Sequence, residues 1–174
     1  PEGDYRKFIR LIAGDNEERE GSLRSTIGYL LHSYKTSAKN RAVILNDETI
    51  SENPNGGSGK GLFCQAIAHM KRTSTIDGKV FSLDKSLTYQ TIGENTQVLV
   101  IDDVDKYFRF ERLFSLITEG ITLEKKNKDA VRLPVQESPM IVITTNYTVG
   151  GVGGSFERRK WEVELSSYFS ARHT

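Results

Sequence analysis

The chain has 174 residues, which is enough for one domain with a central sheet covered by helices. Its 24 Lys and Arg residues nearly balance 23 Asp and Glu residues, so the formal charge of +1 neither requires nor excludes nucleic acid as a partner. The single Cys64 excludes an internal disulfide and favours a reducing compartment. The scattered histidines make no metal-ligand set with it. No apolar run approaches the length of a membrane span.

The first half of the chain predicts a helix, a strand, a glycine-rich loop and a second helix. Apolar residues recur at helical spacing within residues 21–36, on a stripe formed by Leu23, Ile27, Leu30, Leu31 and Tyr34. Residues 41–47 (RAVILND) predict a short buried strand that ends where the glycine-rich loop begins. The helix after Lys60 carries the apolar residues Leu62, Phe63, Ala66, Ile67 and Met70.

The second half adds two buried strands, a helix and a hairpin. Residues 97–103 (QVLVIDD) are a continuous apolar run that ends in two acids. Asp105 can then cap a helix that carries Phe110, Leu113, Phe114 and Ile117. Residues 121–135 predict two short strands around a polar tip, and residues 140–146 (MIVITTN) predict another buried strand.

The order of these elements predicts the fold class. Residues 160–165 (KWEVEL) alternate in polarity like an edge strand, and strands alternate with helices along most of the chain. This pattern favours an α/β domain with a central, mostly parallel sheet flanked by helices, and with ligands at the carboxyl ends of the strands. We expect residues 1–40 to form an N-terminal helical segment and residues 41–174 to form the main domain with its hairpin insertion.

Residues 53–63 (NPNGGSGKGLF) resemble a phosphate-binding loop. Glycines let backbone amides turn towards an anion, the following helix adds its dipole, and Lys60 can bridge the outer phosphates. The pattern G-x-x-x-x-G-K-[ST] is broken by Pro54 and by Gly61, which stands at the hydroxyl position. A plain turn is the alternative, but the strand before and the helix after favour phosphate. The predicted phosphate-binding residues are Asn55, Gly56, Gly57, Ser58, Gly59, Lys60, Gly61 and Leu62.

Two further strands end in polar residues that suit a magnesium-nucleotide site. Asp102 and Asp103 follow an apolar strand, so that one carboxylate can hold the metal, directly or through water, and the other can polarise the attacking water. Asn146 follows another strand and can orient that water, although a turn residue is the simpler interpretation of it in isolation. Asp105 is assigned to capping.

Two basic groups complete the candidate site residues. Arg158 and Arg159 follow a flexible glycine loop and can stabilise γ-phosphate charge in a neighbouring subunit, or can be a solvated surface pair. The tip of the predicted hairpin is rich in lysine, which suits contact with a nucleic-acid backbone or a solubilising turn. Its candidate DNA-binding residues are Lys125, Lys126, Asn127 and Lys128.

In this order, from about Arg41 to about Phe169, the motifs resemble the superfamily 3 helicases, and their spacing resembles the primase-helicases of phages, plasmids and mobile elements. The most specific part is LITEGITLEKKNK followed by SPMIVITTN. The resemblance implies a P-loop ATPase of modified AAA+ type that uses ATP and Mg²⁺ and forms a homo-oligomer, a hexameric ring around single-stranded DNA. It also implies DNA replication in the cytoplasm of a bacterial or phage-infected cell, and an attached primase or origin-binding domain.

The resemblance also assigns roles to single residues. Lys60 and the loop amides bind the triphosphate, Asp102 and Asp103 match the paired acids, and Asn146 matches the polar sensor. Lys126 matches the DNA-contacting lysine, with Asn127 where some members carry histidine. Arg159 matches the arginine finger, with Arg158 as its partner or substitute.

Gly61 leaves two alternatives to an ATP-driven helicase motor. Because Gly61 removes a direct magnesium ligand, the chain can be a nucleotide-gated DNA-binding or assembly module with little hydrolysis. It can also be an AAA+ initiator or loader that does not separate strands.

Since the sequence starts at Pro1 rather than Met, we expect it to be an excised piece of a longer protein.

Overall fold

A five-stranded parallel sheet is the centre of the fold, as the sequence predicts. The computed structural model describes residues 3–49, 56–82, 91–123 and 129–170. The sheet strands are β1 (Ala42–Asp47), β2 (Thr73–Asp77), β3 (Val98–Val104), β6 (Met140–Thr145) and β7 (Lys160–Leu165). They lie in the order β2-β3-β6-β1-β7, and every neighbouring pair is parallel. The remaining strands, β4 (Ile121–Leu123) and β5 (Val131–Leu133), form a separate antiparallel hairpin.

Helices cover both faces of this sheet. They are α1 (Asp4–Ala13), α2 (Glu17–Leu31), α3 (Lys60–Met70), α4 (Phe114–Thr118) and α5 (Gly154–Glu157), with a 3-10 helix at Phe110–Leu113. Successive strand residues point to opposite faces, so each face has its own apolar core. Val43 and Leu45 of β1 pack with α1, α2 and α3, whereas Ile44 packs with the 3-10 helix, α4 and the hairpin.

The predicted strands and the hairpin are confirmed, and β7 is an edge strand. The sequence analysis did not identify β2, because only Ile76 of its five residues is buried and the rest resemble a polar loop. The helices α1 and α2 both fall within residues 1–40 and share one core with α3 and the sheet. The division of the chain at residue 40 stays a prediction.

One detail of the predicted helices is wrong. Tyr34 is not on the first helical stripe, because α2 ends at Leu31 and the backbone of His32 is extended; Tyr34 is 67% exposed. Leu62 and Met70 are about half exposed, and the buried stripe of α3 consists of Phe63 and Ile67.

Asp105 does not cap the helix that was predicted after β3. Its carboxylate accepts a hydrogen bond from the Tyr107 amide at 2.8 Å, which closes a local turn, and its carbonyl accepts one from the amide of Phe108. The 3-10 helix begins only at Phe110, after Arg109, which makes no side-chain cap. An Asp side chain can accept a hydrogen bond from the amide two residues further along the chain and so close a turn by itself. Asp105 therefore stabilises this local turn and not the start of a helix.

Candidate nucleotide site

Polar side chains converge where three neighbouring strands end. Because β1, β6 and β3 are adjacent and parallel, Asp47 at the end of β1 lies at the same edge of the sheet as Asn146 after β6 and as Asp102 and Asp103 in β3. The glycine-rich loop joins β1 to α3 at this edge, and the structure describes it from Gly56 onwards. Carboxyl ends of parallel strands are the usual place for ligands in α/β folds.

The described part of the loop has a backbone that favours glycine. Gly56, Gly57 and Gly59 have φ angles of 64°, 84° and 104°, in the region that L side chains rarely adopt. Gly59 directly precedes α3, and a Cβ there would lie 3.0 Å from Cγ2 of Ile12 and 3.2 Å from the ring of Phe8. The helix α1 therefore packs against the loop, and only glycine fits. Asn55, predicted to bind phosphate, lies outside the described residues.

Lys60 is held by three acceptors at the edge of the sheet. Its ammonium donates to Oδ1 of Asp47 at 2.6 Å, to Oδ1 of Asn146 at 2.7 Å and to Oγ of Ser58 at 3.2 Å. An ammonium has three donors, so the chain itself satisfies all of them. The side chains of Lys60 and Asp47 are 11% and 16% exposed, which makes this ion pair a largely buried one. The structure thus brings Lys60, Ser58 and Asn146 together.

Asp47 is a functional candidate that the sequence analysis missed. The sequence contains a pattern that could have identified it, because Asp47 follows an apolar strand in the same way as Asp102 does. Only the sheet order shows that this carboxylate meets the lysine of the loop.

Thr144 holds both acids of β3 in place. Its hydroxyl donates to Oδ1 of Asp102 at 2.6 Å and accepts from the amide of Asp103 at 2.8 Å. The pairing of β3 with β6 shifts between Ile101 and Val104, and Asp103 has a φ of 56°. In a regular strand, consecutive side chains point to opposite faces of the sheet. The bulge changes the direction of Asp103, so that both acids can contact a ligand at the same site.

Asp103 connects to Lys60 through Asn146. The Asn146 amide nitrogen lies 3.3 Å from Oδ1 of Asp103, and Oδ2 of Asp103 accepts from Lys79 at 2.6 Å. The hydrogen bond and charge of Asp103 raise the pKa of the Lys79 ammonium, which stays charged at neutral pH. The sequence analysis missed Lys79, because no pattern marks a lysine after a polar strand. The polar chain therefore runs from Asp47 through Lys60, Asn146 and Asp103 to Lys79.

Asp102 lies beside α3. Burial, and then the negative charge of Asp102, raise the pKa of the Cys64 thiol to about 12. Cys64 is one turn along α3 from Gly61, so Asp102 faces the amino-terminal half of α3, the helix that begins at the glycine loop. A Cβ at Gly61 would meet nothing within 4 Å.

Within the described ranges no group of three or more His, Cys, Asp or Glu residues could hold a metal ion. Mg²⁺ commonly takes only one or two carboxylates together with phosphate oxygens and water. The exposed carboxylate of Asp102 beside the loop fits that requirement.

Arg158 and Arg159 lie at the opposite end of the sheet from Lys60. Lys160 pairs with Ala42 at the start of β1, and Leu165 pairs with Asp47 at its end. Five residues of strand separate these pairs by about 17 Å. Among the described site residues, the structure therefore does not bring these arginines together with Lys60 of the same chain.

The guanidinium of Arg159 is oriented by its own chain. It lies 4.6 Å from the centroid of the Phe114 ring, and one of its terminal nitrogens donates to the carbonyl of Ser155 at 2.9 Å. Its Nε is buried without a hydrogen-bond partner among the described residues. Desolvation and the charge of the exposed Arg158 lower the pKa of Arg159.

The predicted DNA-binding residues Lys125, Lys126, Asn127 and Lys128 lie outside the described residues. The two strands that carry this tip form the predicted hairpin. Over the described ranges, the structure contains no helix that is both long and apolar enough to cross a membrane.

Comparisons with known proteins support the fold. Residues 52–159, more than half of the chain, match the family of unknown function DUF5906. No curated protein matches the chain by sequence. The apo C-terminal region of NrS-1 is similar in structure, with a TM-score of 0.66 and 17% identity over 94% of this chain and 38% of that one. The helicase of the polyomavirus JCV has a TM-score of 0.54 and 12% identity over 93% of this chain and 44% of that one.

The chain thus spans less than half the length of these solved structures. At these identities the likeness concerns the fold, which this chain shares with a helicase domain.

Proposed function

The chain belongs to the family of unknown function DUF5906, and we propose that it is an ATP-hydrolysing motor domain of a replicative DNA helicase. The observation that carries this proposal is the contact network at one edge of the sheet, where Lys60 of the glycine loop meets Asn146, and Asn146 meets Asp103. A lysine after a glycine loop, an acid pair and a polar amide are the groups that nucleoside-triphosphate hydrolysis requires.

Each group has a distinct role in this proposal. The amides of the loop and Lys60 bind the β- and γ-phosphates, and Asp102 holds Mg²⁺, which would neutralise charge on the phosphate oxygens. Asp103 and Asn146 orient the attacking water. The Thr144 hydroxyl holds the Asp102 carboxylate and the Asp103 backbone amide, and Asn146 contacts the Asp103 carboxylate, so β6 and the residue after it position both acids.

The remaining parts of the proposal concern assembly and DNA. Arg159 of one subunit completes the site of its neighbour in a homo-oligomeric, hexameric ring, because it lies too far from Lys60 of its own chain. The hairpin tip with Lys125, Lys126, Asn127 and Lys128 contacts single-stranded DNA inside that ring. The attached primase or origin-binding domain and the cytoplasmic location belong to the same proposal.

ATP hydrolysis measured against protein concentration tests this function. We expect the rate to rise more steeply than linearly, because each site needs two subunits, and to increase when a single-stranded oligonucleotide is added. An absence of hydrolysis at every concentration, with DNA present and nucleotide bound, would refute the motor.

A second candidate function is a nucleotide-gated DNA-binding module, and Gly61 favours it. Gly61→Ser restores the hydroxyl of the loop, and the space around Gly61 accommodates the side chain. For the motor we expect a change in turnover of only about threefold, because water can replace the missing ligand.

The control for Gly61→Ser is Gly61→Ala, which fills the same space without a hydroxyl and shares the gain in helix propensity. A rise from background by orders of magnitude in the serine variant, but not in the alanine variant, would establish the module instead.

Asp47 is expected to oppose nucleotide binding. Its carboxylate accepts a hydrogen bond from the Lys60 ammonium at 2.6 Å, so this donor is not free to bind phosphate. Its negative charge also repels a triphosphate bound to the same ammonium. Asp47→Asn keeps the size and an acceptor but removes the charge. We expect ADP and ATP to bind about tenfold more tightly, a change of about 1.4 kcal/mol, in equilibrium titrations at low salt.

Glu48→Gln is the matched control for Asp47→Asn. Glu48 is the next residue, but its carboxylate contacts Arg19 and Ser167 and not Lys60. This control should leave nucleotide affinity unchanged. Weaker binding by Asp47→Asn would show instead that Asp47 positions Lys60 for the phosphates.

A further inference from the structure

Lys35 is a largely buried lysine that has no counter-charge among the described residues. It lies between α2 and β1 and is only 7% exposed. Among the described residues it makes no ion pair or hydrogen bond, whereas Lys60 at a similar depth makes three contacts. Its ammonium is not among the fully buried polar atoms that lack a partner, so the buried part is mainly the aliphatic stem and the charged end reaches the surface of the molecule. Desolvation lowers the pKa of Lys35 to about 8, so it is charged at neutral pH.

Lys35 lines a cleft of about 330 Å³. The cleft lies beneath the amino-terminal ends of β3 and β6, since it is also lined by Gln97, directly before β3, and by Met140, the first residue of β6. Its charged and titratable lining residues are His32, Lys35, Lys71, Arg72, Glu94 and Glu137. At neutral pH the cations Lys35, Lys71 and Arg72 thus face two carboxylates, and the most buried member of the group is Lys35.

Arg72 is fixed at this cleft by a hydrogen bond. Its Nε donates to the carbonyl of Asn95 at 2.8 Å, which anchors the exposed guanidinium beside the opening. Lys71 is half-buried at the end of α3. A fixed guanidinium and two ammonium groups around one space are the donors that recognise phosphate and sulfate.

This cleft is separate from the candidate nucleotide site. It opens at the amino ends of the strands, whereas Lys60 lies at their carboxyl ends. The seven residues of β3 place about 20 Å between these two edges of the sheet. A single phosphate group cannot contact both Lys35 and Lys60.

We propose that this cleft is a second anion site, which binds a phosphate group with the Lys35 ammonium at its centre and Lys71 and Arg72 at its rim. The phosphate group supplies the counter-charge that no described residue provides for Lys35. Free phosphate and the backbone of a nucleic acid share this chemistry. The site does not depend on the proposed ATPase, because none of its residues belongs to the glycine loop or to the acid pair.

Sulfate titration in a Lys60→Ala background tests the second site. Sulfate keeps its charge between pH 6 and pH 10, and the background removes the lysine of the glycine loop, which also attracts anions. We expect millimolar sulfate to raise the melting temperature of Lys60→Ala, and this rise to be lost when Lys35→Met is added. Lys39→Met is the matched control, because Lys39 is an exposed lysine four residues further along the same segment.

The pH dependence separates binding from a structural effect. Sulfate needs charged Lys35, so its affinity should fall about tenfold per pH unit above pH 8 in the Lys60→Ala protein. Without sulfate, the protein that retains Lys35 should gain stability relative to Lys35→Met between pH 8 and pH 10.5, because the unfolded lysine holds its proton longer. A sulfate response that is the same with and without Lys35 would overturn the proposal.

A single-stranded oligonucleotide identifies the source of the phosphate group. If it competes with sulfate for the Lys35 site, the site binds the nucleic-acid backbone, and if inorganic phosphate competes and the oligonucleotide does not, the site binds a free anion. Competition by neither would overturn the assignment to phosphate. Should Lys35→Met fail to fold, Lys35→Gln serves for the same comparison, and it should also lose the sulfate response.

Discussion

Lys60→Ala should lower the affinity for ADP and ATP by roughly 100-fold or more, equivalent to about 2.7 kcal/mol, and reduce hydrolysis to background. Two effects combine. The phosphates lose their ammonium partner, and the carboxylate of Asp47, which is 16% exposed, is left unpaired beside them. Titration with a fluorescent nucleotide and an ATPase assay measure the two losses.

A double variant separates the two effects of Lys60→Ala. Adding Asp47→Ala removes the unpaired carboxylate, so we expect part of the lost affinity to return. Lys106→Ala is a suitable control, because Lys106 is exposed and lies outside the network of Lys60. Unchanged nucleotide binding and hydrolysis in Lys60→Ala would refute both the nucleotide site and the motor function.

Arg159→Ala is expected to lower the rate of ATP hydrolysis by roughly 10³-fold, the scale reported for arginine fingers, and to change nucleotide affinity by less than about threefold. The reason is that Arg159 lies at the opposite end of the sheet from Lys60 of its own chain, so it acts on the triphosphate of a neighbour. Phe114 and Ser155 hold the guanidinium in one orientation, so little of its freedom remains to be lost during the reaction.

Mixing two inactive proteins distinguishes this role from a structural one. A mixture of Lys60→Ala and Arg159→Ala subunits contains some interfaces that have both wild-type residues, and these should recover measurable hydrolysis. Recovery would not occur if both residues served a site within one chain. Arg158→Ala provides the comparison for the neighbouring arginine, and a melting curve of Arg159→Ala reports the loss of its contact with Phe114.

The local parts of the candidate site could be predicted from the sequence. Glycines at 56, 57 and 59 before Lys60 require positive φ angles and the start of a helix, and both are present. The apolar strands that end near Asp102 and Asn146 were identified because four or more consecutive buried residues leave a clear pattern. The parallel α/β class followed from the alternation of strands and helices.

Other parts depended on contacts that the sequence does not record. Asp47, Asn146 and Asp103 are far apart in the chain, and whether each approaches Lys60 depends on which strands are neighbours. The missed strand β2 has only one buried residue, and Tyr34 lies beyond the end of α2 because the backbone turns extended at His32. Helical spacing continues past a helix end, so spacing could not locate that end.

The amino-acid sequence by itself determined the glycine loop, the lysine that follows it, and the strands that carry acids and amides to one edge, because these depend on local conformational preferences and burial. Only the tertiary structure decided that β6 lies between β3 and β1, which joins Lys60 to Asn146 and Asp103. It also decided that Lys35 is largely buried and has no counter-charge within the part of the chain that the structure describes. Strand order and burial arise from packing between distant segments, and local sequence patterns do not contain that information.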